Sequence, residues 1–177
     1  STPGIGSVFT VSIPYQTAKN PGINEIAPVT IDQNIAIEYP FQIMVAEDNI
    51  INQQLAIMTF QNMGYAIDVV NNGQEAVELA RSKTFDLIFM DIQMPVLDGV
   101  EATKIILKDC LPPPVIVALT ANILRETTDV CIQAGMMEVI HKPFRLEAIY
   151  DIIQKVGAQK GLKNGRLKKK SANENWN

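Results

Sequence analysis

Five short apolar runs punctuate the middle of the chain: FQIMVA (41–46), YAIDVV (65–70), FDLIFM (85–90), PVIVAL (114–119) and MEVI (137–140). Four are nearly continuous rather than alternating, as expected of parallel strands covered on both faces. Between them the period changes to that of a helix. Ile51, Leu55 and Met58 recur at i, i+4 and i+7, and Gly64 is placed to stop that helix. Gly73–Ser82 contains Ala76, Val77 and Ala80; Asp98–Lys108 follows, then Arg125–Ala134 stopped by Gly135. Leu146, Ile149, Ile153 and Val156 mark the last helix. Five strands alternating with five helices predict an α/β fold, a doubly wound five-stranded parallel sheet.

The flanks have a different texture. Residues 1–40 are rich in Pro, Gly, Asn and Thr, with one β-like piece in which Phe9, Val11 and Ile13 alternate with Val8, Thr10 and Ser12 before Pro14. Residues 16–40, carrying Pro21, Gly22, Pro28 and Pro40, read as a linker. Residues 158–177 read as a basic tail.

Composition narrows the class. With 47% hydrophobic and 19% charged residues among 177, a packed core is expected and wholesale disorder is not. No apolar run reaches the ~18–20 residues needed to span a bilayer, and the opening STPGIGSVFTVSIPY lacks the basic and apolar regions of a signal peptide. Cys110 and Cys131 stand 21 apart without a CxxC or Cys/His cluster, which fits a reducing cytoplasm better than a disulfide scaffold or zinc module. The net charge of −4 divides unevenly, +6 over residues 155–177 and −10 over the rest. An acidic body is a poor nucleic-acid binder, and a short basic terminus reads most simply as solvated. About twenty residues after the last helix are too few for a helix-turn-helix effector.

Polar residues stand immediately after the apolar runs. Glu47-Asp48 follows the first, Asp91 the third, Thr120 the fourth and Lys142-Pro143 the fifth. These are carboxyl ends of strands, the rim where open α/β sheets place ligands. In the strand order 2-1-3-4-5, the crevice would lie between Asp48 and Asp91. Three carboxylates there would raise one another's pKa unless a cation joined them. Mg2+ suits such an oxygen set and keeps room for waters and a phosphate. Lys142 supplies a fixed positive charge and Thr120 a hydroxyl for phosphoryl oxygens, and phosphoryl transfer depends chiefly on such positioning. A carboxylate can itself be the nucleophile, and Asp91, ending the central strand, is the candidate.

EDN (47–49), FMDIQMPVLDG (89–99), ALTAN (118–122) and KPF (142–144) together resemble a two-component response-regulator receiver domain, over about two thirds of the chain. The resemblance implies a flavodoxin-like receiver fold over 41–157. It implies that Asp91 accepts a phosphoryl group from phosphohistidine, with Mg2+ held by Asp48, Asp91, the Gln93 carbonyl and, partly through water, Glu47. Thr120 would swing toward the phosphoryl group, Lys142 would contact it, and a cis peptide would precede Pro143. Gln93 and Asn122 occupy the variable positions that tune phosphoryl lifetime. Val139 replaces the aromatic residue that in many receivers couples to the threonine, so an aromatic switch is not expected. The EDN opening, Asn52 and the DIQMP loop look most like receivers of hybrid sensor histidine kinases, and PGIGSVFTVSIP is similar to the last strand of a kinase ATPase domain. On that basis residues 1–15 would be an ATPase remnant, and the partner a histidine-kinase or histidine-phosphotransfer domain. The chain itself would be cytoplasmic, without direct membrane insertion.

Two other functions fit parts of the pattern. An aspartyl-nucleophile phosphohydrolase also uses a strand-end Asp with Mg2+ and Lys, but its general acid would fall at Gln93, which cannot exchange a proton usefully. A non-phosphorylated interaction domain would leave the acidic pocket without a purpose. His141, the one histidine, invites two readings, a phosphodonor or a titrating sensor beside Lys142, but it ends a short strand rather than standing on a helix as a phosphodonor would, and reads as an ordinary histidine. Gly4-Ile5-Gly6 lacks the remainder of a P-loop.

Overall fold

The computed structural model describes residues 10–12, 35–121, 125–143 and 145–161. The chain divides into Ser1–Thr30 and Ile31–Asn177. In the first unit the described residues Thr10, Val11 and Ser12 belong to no strand, contrary to the β-like alternation there; the rest of that piece, like most of the proposed ATPase remnant, lies outside the described residues.

In the second unit the elements run α1 (Ile35–Glu38), β1 (Ile43–Ala46), α2 (Ile50–Asn62), β2 (Ile67–Val70), α3 (Gly73–Ser82), β3 (Leu87–Asp91), α4 (Gly99–Asp109), β4 (Val115–Thr120), α5 (Arg125–Gln133), β5 (Glu138–His141) and α6 (Leu146–Gln159). The five strands form one sheet in the order β2-β1-β3-β4-β5, every pair parallel. The expected order and the alternation of elements are therefore observed.

Successive strand residues face opposite layers. Ile43 and Val45 of β1, Leu87 and Phe89 of β3, and Val117 and Leu119 of β4 pack with Phe60 of α2 and with Ile149, Ile152, Ile153 and Val156 of α6. The alternate residues Met44, Ile88, Met90, Ile116 and Ala118 pack with Ala76 and Val77 of α3, Ala102 and Ile106 of α4 and Cys131 of α5. Near-continuous apolar strands follow directly from these two covered faces.

Two details differ from the sequence reading. The last part of the expected linker belongs to the core: Ile35 and Tyr39, spaced i and i+4 across α1, are buried. The Tyr65 hydroxyl donates to the Tyr39 carbonyl at 2.6 Å. Gly157 of α6 leaves room for the Tyr39 ring, where a β-carbon would stand 2.2 Å from Cδ1. A single turn over Ile35–Glu38, followed closely by Pro40, is too short to display a period, which is why it reads as linker. The second difference concerns α2. Gln53, Ala56 and Phe60 face inward, while Ile51, Leu55 and Met58, the stripe picked out by periodicity, are exposed.

Among the described residues no helix is long and apolar enough to cross a membrane.

Candidate functional site

The sheet register aligns the strand ends that carry the chemistry. Ala46 pairs with Met90, Asp91 with Leu119, and Thr120 with His141. Glu47 continues the first strand, its amide donating to the Val70 carbonyl at 3.0 Å, and the Lys142 amide donates to the Thr120 carbonyl at 2.8 Å. Parallel pairing thus delivers Glu47, Asp91, Thr120 and Lys142 to one rim.

Helix starts complete the walls. Asn49 caps α2, its side-chain oxygen accepting from the Ile51 amide at 2.9 Å, and Asp98 caps α4 by accepting from the Glu101 amide at 2.9 Å. The loop between Asp91 and Asp98 turns back over the rim, held by the Gly99 amide on the Ile92 carbonyl at 3.0 Å and the Gly73 amide on the Leu97 carbonyl at 3.1 Å. Gly73 is needed there because a β-carbon would come within 2.4 Å of the Leu97 oxygen.

At the centre, Lys142 bridges two acids. Its ammonium lies 2.7 Å from Asp91 Oδ2 and 2.5 Å from Glu47 Oε2. Asp91 Oδ1 accepts from the Gln93 amide at 3.2 Å. Glu47 is fully buried and Asp91 nearly so, whereas Asp48 is exposed. Ligand atoms of Glu47, Asp48 and Asp91 lie within 4.8 Å of one another. Burial pushes the Asp91 carboxyl above its ordinary pKa; Lys142 pulls it down without cancelling that, and the Glu47 charge adds to the rise. Burial alone would lower Lys142, but contacts with Asp91 and Glu47 outweigh it and hold the ammonium above its usual value.

The donor set fits a hard divalent cation. All three side chains offer carboxylate oxygen, and buried Glu47 Oε2, although ion-paired, accepts no well-directed hydrogen bond among the described residues.

Thr120 is buried at the end of β4, Gln93 is exposed on the loop, and Val139 is half-buried in β5 beside Ala118. The Lys142–Pro143 peptide is cis, as the resemblance implied. Asn122 lies outside the described residues. His141 is exposed at the end of β5 and is not part of a helix. Sequence reasoning assigned no task to two amides behind the acids. The Asn52 amide donates to Glu47 Oε1 at 2.8 Å, and buried Gln53 donates to the Glu47 carbonyl at 2.6 Å and to Asn71 Oδ1 at 3.0 Å. An amide-bearing pair in the first turn after an acid pair was the available signal.

Comparison with known proteins agrees with this geometry. Residues 43–154 match the response regulator receiver domain model, and the chain belongs to that family. It is 37% identical over 121 residues to hybrid signal transduction histidine kinase K of Dictyostelium discoideum, covering 64% of this chain and 10% of that protein. The receiver domain of sensor histidine kinase PA1611 from Pseudomonas aeruginosa, solved with magnesium coordinated in its active-site cleft, is 36% identical with a TM-score of 0.62, over 66% of this chain and 98% of that one. The receiver domain of yeast Ssk1, solved in complex with the histidine phosphotransfer protein Ypd1, is 31% identical with a TM-score of 0.64, over 68% and 91% of the two chains. The chain therefore spans about a tenth of the length of the Dictyostelium kinase it resembles.

Proposed function

We propose that this domain is a phosphoacceptor of a two-component phosphorelay, with Asp91 as the residue modified. The observation that carries the reading is the convergence of Asp91, Lys142 and the Glu47-Asp48 pair on one rim, with the Lys142 ammonium 2.7 Å from Asp91 Oδ2. In the reaction an Asp91 carboxylate oxygen attacks phosphorus of a phosphohistidine. The P–N bond breaks, its electron pair returns to the imidazole, and an acyl phosphate forms on Asp91. Lys142 moves its charge toward the phosphoryl oxygens, and Thr120 donates its hydroxyl to one of them.

Glu47, Asp48, Asp91 and the Gln93 carbonyl would hold Mg2+, Glu47 partly through water. Bound there, the ion would neutralise charge on the transferring group. Gln93 and Asn122 would tune the lifetime of the product. Val139 carries no ring, so the output does not use an aromatic rotamer at that position. The donor is a histidine-kinase or histidine-phosphotransfer domain, as the Ypd1–Ssk1 complex suggests by analogy. The parent protein is a hybrid histidine kinase working in the cytoplasm, with the receiver connected through the segment that precedes α1. An aspartyl phosphohydrolase is less well supported, because the position two after Asp91 is Gln93, which offers no general acid.

Incubation with acetyl phosphate and Mg2+ tests the reading by intact mass. One phosphoryl group should be gained by the parent and none by Asp91→Asn. Transfer from a phosphorylated histidine-phosphotransfer protein is the second arm, and failure of both arms would overturn the assignment.

A further inference from the structure

Glu47 has two carboxylate oxygens, and the fold treats them differently. Oε1 accepts the Asn52 amide at 2.8 Å and lies 3.4 Å from the Asn49 amide nitrogen, while Oε2 faces Lys142 at 2.5 Å. We propose that Asn52 is a positioning residue for the cation site: its neutral amide fixes the rotation of the Glu47 carboxylate and so directs Oε2 into the pocket. The inference rests on the Mg2+ site proposed above.

The chemistry of an amide suits this task. A lysine or arginine in the same place would also hold Oε1, but it would neutralise a charge the cation needs and repel the cation itself. A hydroxyl is shorter and rotates freely. Asn52 donates without a charge and without titrating. Its neighbour Gln53 performs a separate job, because one residue along a helix turns the side chain by about 100°. Gln53 is buried and holds the Glu47 backbone carbonyl against Asn71. Glu47 is thus fixed at its main chain by Gln53 and at its carboxylate by Asn52. Asn52 is only half-buried, so removing its amide leaves the core intact. Partners that orient metal-binding groups in this way typically govern affinity by about 10- to 100-fold.

The test measures Mg2+ affinity by titration calorimetry, and thermal unfolding without metal, for the parent, Asn52→Leu, Asn52→Ala, Asn52→Gln and Gln53→Leu. The donor-free Asn52 variants should unfold within a few degrees of the parent yet bind Mg2+ about tenfold or more weakly. Asn52→Gln, which keeps an amide, should recover most of the affinity, and Gln53→Leu should lose thermal stability first. If Asn52→Leu does not fold, Asn52→Ala against Asn52→Gln carries the comparison. Affinities of the donor-free variants within about twofold of the parent, against the larger loss expected for an orienting partner, would overturn the proposal. So would equal weakness of Asn52→Gln and Asn52→Ala. A parent that binds no Mg2+ would overturn the cation site itself, a result separate from either of these.

Discussion

Gly99 lies so close to the backbone of Asp91 that a β-carbon on it would stand 2.0 Å from the Asp91 carbonyl oxygen. The start of α4 is therefore seated directly on the residue proposed to accept the phosphoryl group. The contact is with backbone, which cannot rotate aside as a side chain could. Gly99→Ala should cost about 1–3 kcal/mol in urea unfolding, as overpacking does. It should slow acetyl phosphate labelling by roughly 100-fold through displacement of Asp91. Labelling at the parental rate with parental stability would show that the loop absorbs the methyl group.

Lys142 is ion-paired with both Glu47 and Asp91, so Lys142→Met leaves two buried acids without their shared cation. Asp91 already has a raised pKa, caused first by burial, and losing Lys142 raises it further. A carboxyl whose folded pKa lies above its unfolded value favours folding at low pH and loses that contribution as pH rises through the folded value. Lys142→Met should therefore be destabilised by about 3 kcal/mol at pH 8 and clearly less at pH 5. Urea unfolding at both pH values in chelator-treated buffer measures the difference. An equal loss at both would mean that Asp91 is not the group responding.

Asp48 is exposed, so Asp48→Asn should leave metal-free stability within about 0.5 kcal/mol of the parent. Its effect should appear on adding Mg2+. A parent at a hundred times its dissociation constant gains about 2.7 kcal/mol by mass action, and Asp48→Asn should lose most of that gain. Thermal unfolding with and without Mg2+ is sufficient. Full retention of the gain would remove Asp48 from the proposed cation site.

The Tyr65 hydroxyl, buried and donating to the Tyr39 carbonyl at 2.6 Å, ties α1 to the start of β2. Burial first, and then Tyr39, push its pKa well above the ordinary tyrosine value. A phenol with a raised folded pKa contributes stability that is fully present below its unfolded pKa of about 10 and is lost as pH rises toward the folded value. Tyr65→Phe should cost about 1 kcal/mol at pH 7. Because the parent loses the phenol's contribution at alkaline pH, the gap should narrow by pH 11. A constant gap across this range would mean that the hydroxyl does not titrate with unfolding.

Much of this architecture is legible in the sequence, for identifiable reasons. Strands buried on both faces must be almost wholly apolar, so FDLIFM and PVIVAL announce themselves, and the polar residue that ends each run marks the rim. The acids at 47, 48 and 91, with Thr120 and Lys142, were found this way. What escaped lacks a period or depends on contacts made across the fold. The turn at Ile35–Glu38 is too short for periodicity to register. The pairing of Lys142 with Glu47 depends on rotamers, and Asn52 and Gln53 acquire meaning only once Glu47 is placed.

Helix α2 shows the limit most clearly, because its sequence IINQQLAIMTFQN is apolar on more than one side. Ile51, Leu55 and Met58 form a valid helical stripe, but so do Gln53, Ala56 and Phe60, and the latter is the one buried. Gln53 tolerates burial because its amide has two acceptors, the Glu47 carbonyl and Asn71 Oδ1. Phe60 is 1% exposed, with its ring centroid 5.2 Å from that of Phe89, while Met58 is 62% exposed. Truncation at the two sites should differ accordingly. Phe60→Ala should cost about 3–5 kcal/mol by opening a cavity beneath the sheet, and Met58→Gln should change stability by less than about 0.5 kcal/mol. Urea unfolding of both variants decides between the faces. A large loss from Met58→Gln with little from Phe60→Ala would mean that the stripe picked out by periodicity is the buried one after all.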